Sequence, residues 1–105
     1  MGLVRGRGVK TFTIGTAVQL VAHVNKNRAS LTLLAAKANT GIVYVSYDDQ
    51  DVATSGNNQG VPLEASGQLN EQPPAVFQGQ VYAIASAASQ VLQVIETDEL
   101  PAKVD

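Results

Sequence analysis

Between Arg28 and Tyr47 the chain reads RASLTLLAAKANTGIVYVSY: two apolar runs, 31–36 and 42–47, divided by the polar connector Lys37-Ala38-Asn39-Thr40-Gly41. Asn39 and Gly41 tolerate the positive φ that chain reversal often requires, so the connector reads as a turn. Ile42-Val43-Tyr44-Val45 is made of the β-branched and aromatic residues that suit a pleated, packed surface. The stretch reads as a β-hairpin with the core forming around it. A helix through 29–38 is the rival reading, because Leu33-Leu34-Ala35-Ala36-Lys37-Ala38 has good helix propensity. The shortness of the segment, and turn signals on both sides, favour strand.

The rest of the chain repeats this rhythm. Val9 to Ile14 favours strand, and residues 1–8, MGLVRGRG, read as a flexible basic arm that orders against a partner. Ala17 to Val24 alternates, with Val18, Leu20, Ala22 and Val24 on one face and Gln19, Val21 and His23 on the other; Asn25-Lys26-Asn27 is its turn. Ala29, Leu31 and Leu33 point to the core, while Ser30 and Thr32 point out. Val61-Pro62-Leu63 is extended, with Pro62 suited to an edge. Pro73-Pro74 stiffens the approach to a last pair of strands, 77–86 and 90–97. Six to eight short strands at spacings near ten residues, with no clear helix, predict an all-β fold. The expected form is a small antiparallel β-sandwich or barrel. The expected layout is a flexible basic arm over 1–8, one β domain over 9–97, and a charged tail over 98–105.

Two strands are apolar on both faces. In 42–47, Ile42 and Tyr44 oppose Val43, Val45 and Tyr47; in 90–97, Val91 and Ile95 oppose Leu92 and Val94. Such strands need cover on both sides, and in a chain of 105 residues the second cover can come from another subunit. Composition points the same way. Apolar residues make up 45% of the chain and charged residues 15%, a folded composition, yet there are only three Tyr, two Phe and no Trp. A core built largely of Ala and Val buries little area per residue, at about 25 cal/mol per Å², so self-association is expected, with a trimer as the favoured homo-oligomer.

Charge is divided along the chain. Residues 1–47 carry six basic groups and no acid, whereas residues 48–105 carry all nine acids and one lysine, Lys103. Solvated loops would explain this blandly. The sharper reading sets a basic arm of one copy (Arg5, Arg7, Lys10) against an acidic surface of a neighbour. Nucleic acid is not the expected partner, because the basic groups are sparse and not interleaved with aromatics. No apolar run approaches the ~20 residues of a membrane helix, and Met1-Gly2 lacks the Ser or Thr at residue 6 that myristoylation needs.

Reactive chemistry finds little footing. The absence of cysteine removes disulfides, thiolate catalysis and zinc–thiolate sites. His23 is the single histidine; it lies on a polar strand face, and no Gly-x-Ser-x-Gly elbow accompanies it. Asp48, Asp49 and Asp51 cluster in the loop 48–60, the most loop-like stretch of the chain. An EF-hand counted from Asp49 fails at Ala53, Thr54 and Gly60, which leaves a solvated turn or a weak cation site. No pair among the nine acids has spacing that singles it out for glycoside hydrolysis. A non-enzymatic protein with no cofactor is expected.

Arg28-Ala29-Ser30-Leu31-Thr32-Leu33 with Thr40-Gly41-Ile42-Val43-Tyr44-Val45, then Gly60-Val61-Pro62-Leu63, Phe77-Gln78-Gly79-Gln80-Val81-Tyr82-Ala83-Ile84 and 91–96, form an order of short motifs. It resembles that of small β-structured virion proteins of tailed bacteriophages, over about residues 28–96. The acidic loop and the arginine-bearing arm depart from that pattern. The resemblance implies a viral structural protein without catalytic residues, above all a capsid decoration or cement protein. Such a protein would bind the major capsid protein or other virion proteins at the capsid surface, after assembly in the bacterial cytoplasm. A head–tail or tail component, or a carbohydrate- or cell-surface-binding module using loop 48–60, is the alternative. Arg5, Arg7 and Lys10 would act as tether, and Ile42, Tyr44, Tyr47, Leu92 and Val94 as apolar partner contacts.

Overall fold

The computed structural model describes residues 4–71 and 76–99, and within them the side chains of all but residues 4–7 and 99. Eight strands form among the described residues: β1 (Val4–Ile14), β2 (Gln19–Ala22), β3 (Arg28–Ala35), β4 (Val43–Tyr47), β5 (Val61–Leu63), β6 (Gln68–Glu71), β7 (Val81–Ala85) and β8 (Gln90–Glu99). They make two four-stranded antiparallel sheets, ordered β1-β8-β3-β6 and β2-β7-β4-β5. The chain is all-β, a small sandwich, and among the described residues the helical content is one short 3-10 turn at Gly56–Asn58. The Pro73-Pro74 step and residues 100–105 of the expected tail lie outside the described residues.

The two apolar runs that dominate the sequence do not pair with each other. β3 sits between β8 and β6 in the first sheet, and β4 between β7 and β5 in the second. Residues 36–42 carry the chain across the sandwich, so the expected hairpin is corrected to a crossover between layers. The physical reason lies in cover. Side by side, the inward faces of both strands would still need a second layer; face to face, each supplies it. Leu31, Leu33 and Ala35 from β3 and Val43 and Val45 from β4 are fully buried in one core cluster. The connector does turn, at Lys37-Ala38, where the Asn39 amide donates to the Ala36 carbonyl (3.1 Å), and side chains hold the rest of it. Asn39 donates from Nδ2 to the Val91 carbonyl (2.9 Å) and accepts at Oδ1 from the Val91 amide (2.8 Å). Buried Gln90 accepts at Oε1 from the amides of Thr40 and Gly41, at 2.9 and 2.8 Å.

Strand alternation then decides what faces out. Leu92 and Val94 of β8, Ala83 and Val81 of β7, and Ile14 of β1 complete the core. The alternation expected over 17–24 is broken. β2 spans only four residues, and a register shift between Leu20 and Ala22 turns both Val21 and Ala22 inward. Residues 4–8 do not form a separate arm. They open β1, where Val4, Arg5 and Gly6 pair with Glu99, Asp98 and Thr97, and Gly8 at φ +80° makes the bulge that resets register before Val9. Glycine suits that position because a left-handed backbone strains any side chain.

Candidate functional site

The most organised polar constellation lies where β3 begins and β8 ends. Along β8 the inward series Leu92, Val94 continues into Glu96 and Asp98, so strand alternation forces two carboxylates below the surface, at 6% and 3% exposure. Arg28, at the head of the neighbouring strand, answers them. Its Nε donates to Glu96 Oε2 at 2.8 Å, with no part of the guanidinium side chain exposed. Its Nη1 donates to the carbonyls of Phe77 (2.7 Å) and Gly79 (3.2 Å), and Nη2 to the carbonyl of His23 (2.9 Å). Asn25 bridges the acids, donating from Nδ2 to Asp98 Oδ1 (2.7 Å) and Glu96 Oε2 (3.3 Å). One guanidinium therefore ties together β3, β8, the turn after β2 and the segment before β7. Buried charges persist only when paired and hydrogen-bonded, and this fork satisfies both conditions. It is a clamp, with its donors already engaged by the fold.

The loop 48–60 is anchored to the same end. Asp48 adopts φ 60°, donates its amide to the Gln80 carbonyl (2.8 Å) and accepts at Oδ1 from the Gln80 amide (2.9 Å). Gly79 passes so close that a Cβ there would stand 2.6 Å from Asp48 Oδ1. Asp49 caps the turn, accepting from the Asp51 amide at 2.9 Å. The carboxylates of Asp48 and Asp49 thus serve separate local bonds, and among the described residues no group of three or more His, Asp or Glu side chains gathers around a point. Val52, buried, pins the loop to the body beside Gly60.

Tyr47 points inward from β4 and stacks on Phe77, ring centroids 4.4 Å apart and 15° from parallel. Its hydroxyl is buried without a well-formed hydrogen bond among the described residues. Burial, first, and the nearby Glu71 carboxylate, second, push its pKa up to about 12, against a smaller opposing pull from Arg28.

The residues read from sequence as partner contacts separate into two groups. Leu92 and Val94 point into the core, at 0% and 1% exposure, and have no surface to offer; the outward apolar residues of β8 are Val91 and Ile95. Tyr47 is likewise committed to Phe77. Tyr44 is outward: it pairs with Ile84 of β7 and Pro62 of β5, while Leu20 of β2 pairs with Tyr82 of β7. Leu20, Tyr82, Ile84, Tyr44 and Pro62 therefore form an apolar band across the outer face of the second sheet, and half-buried Ile42 precedes it. Tyr44 is only 8% exposed within that band. The outer face of the first sheet is also without charge among its described side chains. Its rungs read Val9–Ile95–Thr32–Asn70 and Thr11–Gln93–Leu34–Gln68. Lys10 is exposed on edge strand β1, beside a cleft of about 180 Å³ that Phe12, Leu20, His23, Asn25 and Glu96 also line. Arg5 and Arg7 belong to the same strand.

Sequence reading missed Arg28. The signal was present in the alternation of β8, since two acids continuing the inward series of Leu92 and Val94 require a buried cation. Comparison with protein-family models, with curated protein sequences and with solved structures finds no match to this chain.

Proposed function

We propose that this chain is a non-enzymatic structural module that docks on a large assembly through an uncharged sheet face. Its specific form is then a phage capsid decoration protein, whose partner is the major capsid protein. The observation that carries the reading is the apolar band of Leu20, Tyr82, Ile84, Tyr44 and Pro62 on the second sheet. A band of this kind is what the dry centre of a stable interface requires. The virion assignment is supported by the motif order over residues 28–96. Function would be additive: a protein that binds only the assembled lattice shifts the equilibrium toward it by mass action.

The test is co-sedimentation of the purified chain with capsids built from the major capsid protein encoded nearest to its gene. Saturable binding is expected, and Ile84→Glu, which places a charge in the band without touching the core, should weaken it at least about tenfold. Absence of binding by the unaltered chain, or equal binding by folded Ile84→Glu, would refute the reading.

A further inference from the structure

We infer that copies of this chain join head to tail, with β1 of one copy beside β6 of the next, through opposite charges carried on the two edges of the first sheet. The contact goes beyond the capsid reading and does not rest on it, since it forms between copies free in solution.

Topology supplies the first argument. In a four-stranded antiparallel sheet the outer strands run in opposite directions, so in β1-β8-β3-β6 strand β6 is antiparallel to β1. A second copy added in the same orientation therefore extends the sheet with correct antiparallel pairing. The second sheet is less able to follow. Its edge strand β5 is three residues long and contains Pro62, which has no amide to donate.

Charge supplies the second. Edge strand β1 carries Arg5, Arg7 and Lys10 and no acid until its end at Ile14. Lys10 is exposed and has no ion-pair partner among the described residues. At the opposite edge β6 ends in Glu71, with exposed Glu64 four residues before the strand; the buried cation of the neighbouring strand β3, Arg28, is already paired with Glu96. Like-with-like pairing, β1 on β1 or β6 on β6, would set equal charges together, and those pairings are disfavoured. The unlike pairing sets them in opposition.

Register supplies the third. Lys10, Val94, Leu33 and Leu69 lie on one rung. Glu71 lies on the next inward-facing rung, with Leu31 and Glu96, at the height where β1 carries its bulge between Gly6 and Val9. With the copies level, Glu71 stands beside Gly8 of the neighbour and diagonal to its Lys10, within reach of long side chains. The uncharged outer rungs continue across the junction. A heterologous contact of this kind closes into a ring or grows as a filament according to the rotation between copies, and a three-copy ring is one closed solution.

Sedimentation velocity of the full chain tests this, with circular dichroism confirming that each variant is folded. The unaltered chain should associate at low salt, and its association constant should fall at least about tenfold between roughly 0.05 and 0.5 M salt. Lys10→Glu sets a carboxylate against Glu71 of the next copy and Glu71→Lys sets an ammonium group against Lys10, so each alone should weaken association at least about tenfold. An equimolar mixture of the two should associate again, because each altered position then meets its complement on the other variant. Glu71→Gln serves if the lysine disturbs Tyr47, and should weaken association without rescuing Lys10→Glu. A chain that stays monomeric at low salt, a Lys10→Glu variant that associates like the parent, or a mixture of folded variants that stays monomeric would overturn the inference.

Discussion

Replacing Arg28 by methionine is the most informative single perturbation of the fold. The substitution keeps the aliphatic length of the side chain and removes the guanidinium. Glu96, bonded to Arg28 Nε at 2.8 Å and 6% exposed, is left as a buried carboxylate facing the long 3.3 Å bond from the Asn25 side-chain amide. The carbonyls of Phe77, Gly79 and His23 lose their donors at the same time. Breaking one partner out of a buried ion pair costs about 3–5 kcal/mol, and each orphaned buried acceptor adds to that. For a chain of 105 residues, where 1 kcal/mol corresponds to about 4–6 °C in Tm, the expected loss is roughly 15–25 °C. Thermal unfolding followed by circular dichroism measures the shift in Tm, and urea unfolding the free energy. Glu96→Leu in the same chain should recover part of the loss, giving a coupling of about 1.5–3 kcal/mol in a double-mutant cycle. A loss under about 1 kcal/mol for Arg28→Met, or a coupling near zero, would show that the cluster is not the clamp described here.

Other outcomes follow from the same geometry. Tyr47→Phe should be neutral or slightly stabilising at pH 7, because its hydroxyl is buried without a well-formed bond. Its folded pKa, raised to about 12 from the ordinary value near 10, means the folded state holds the proton longer than the unfolded one. The associated stability is complete below pH about 10 and lost as pH rises toward about 12; alkaline unfolding curves of parent and variant should diverge only in that window. Gly60→Ala should cost at least about 2 kcal/mol, since its Cβ would stand 2.7 Å from the Val45 carbonyl and 2.6 Å from buried Val52, and thermal melts will read it. Leu92→Ala should cost about 2–5 kcal/mol as a core truncation, whereas Ile95→Ala, on the outer face, should cost under about 1.5 kcal/mol in the same melts.

The fold class was legible because period-two alternation and turn residues act locally. Ala29, Leu31 and Leu33 fell inward as the pattern requires, and Pro62 fell on an edge strand. What alternation does not encode is which strands become neighbours. Two apolar runs with a turn-like connector satisfy a hairpin and a crossover equally well, and the choice between them was made by the demand for a covering layer. The bulge at Leu20–Ala22 was hidden for a related reason: a one-residue register slip exchanges faces, and only the pairing with β7 reveals it. Inward and outward faces of β8 were separated correctly by pattern. Which face held the core depended on the partner sheet, and so Leu92 and Val94 were mistaken for contacts. The Arg28 clamp joins residues 68 positions apart and became readable only once β3 and β8 lay side by side.

An image reconstruction of capsids reconstituted with this chain tests the functional account most directly. Added density of one β-sandwich per copy is expected, with the face bearing Leu20, Tyr82, Ile84 and Tyr44 turned against the lattice. Capsids without added density, or sandwiches seated with that face open to solvent, would contradict it.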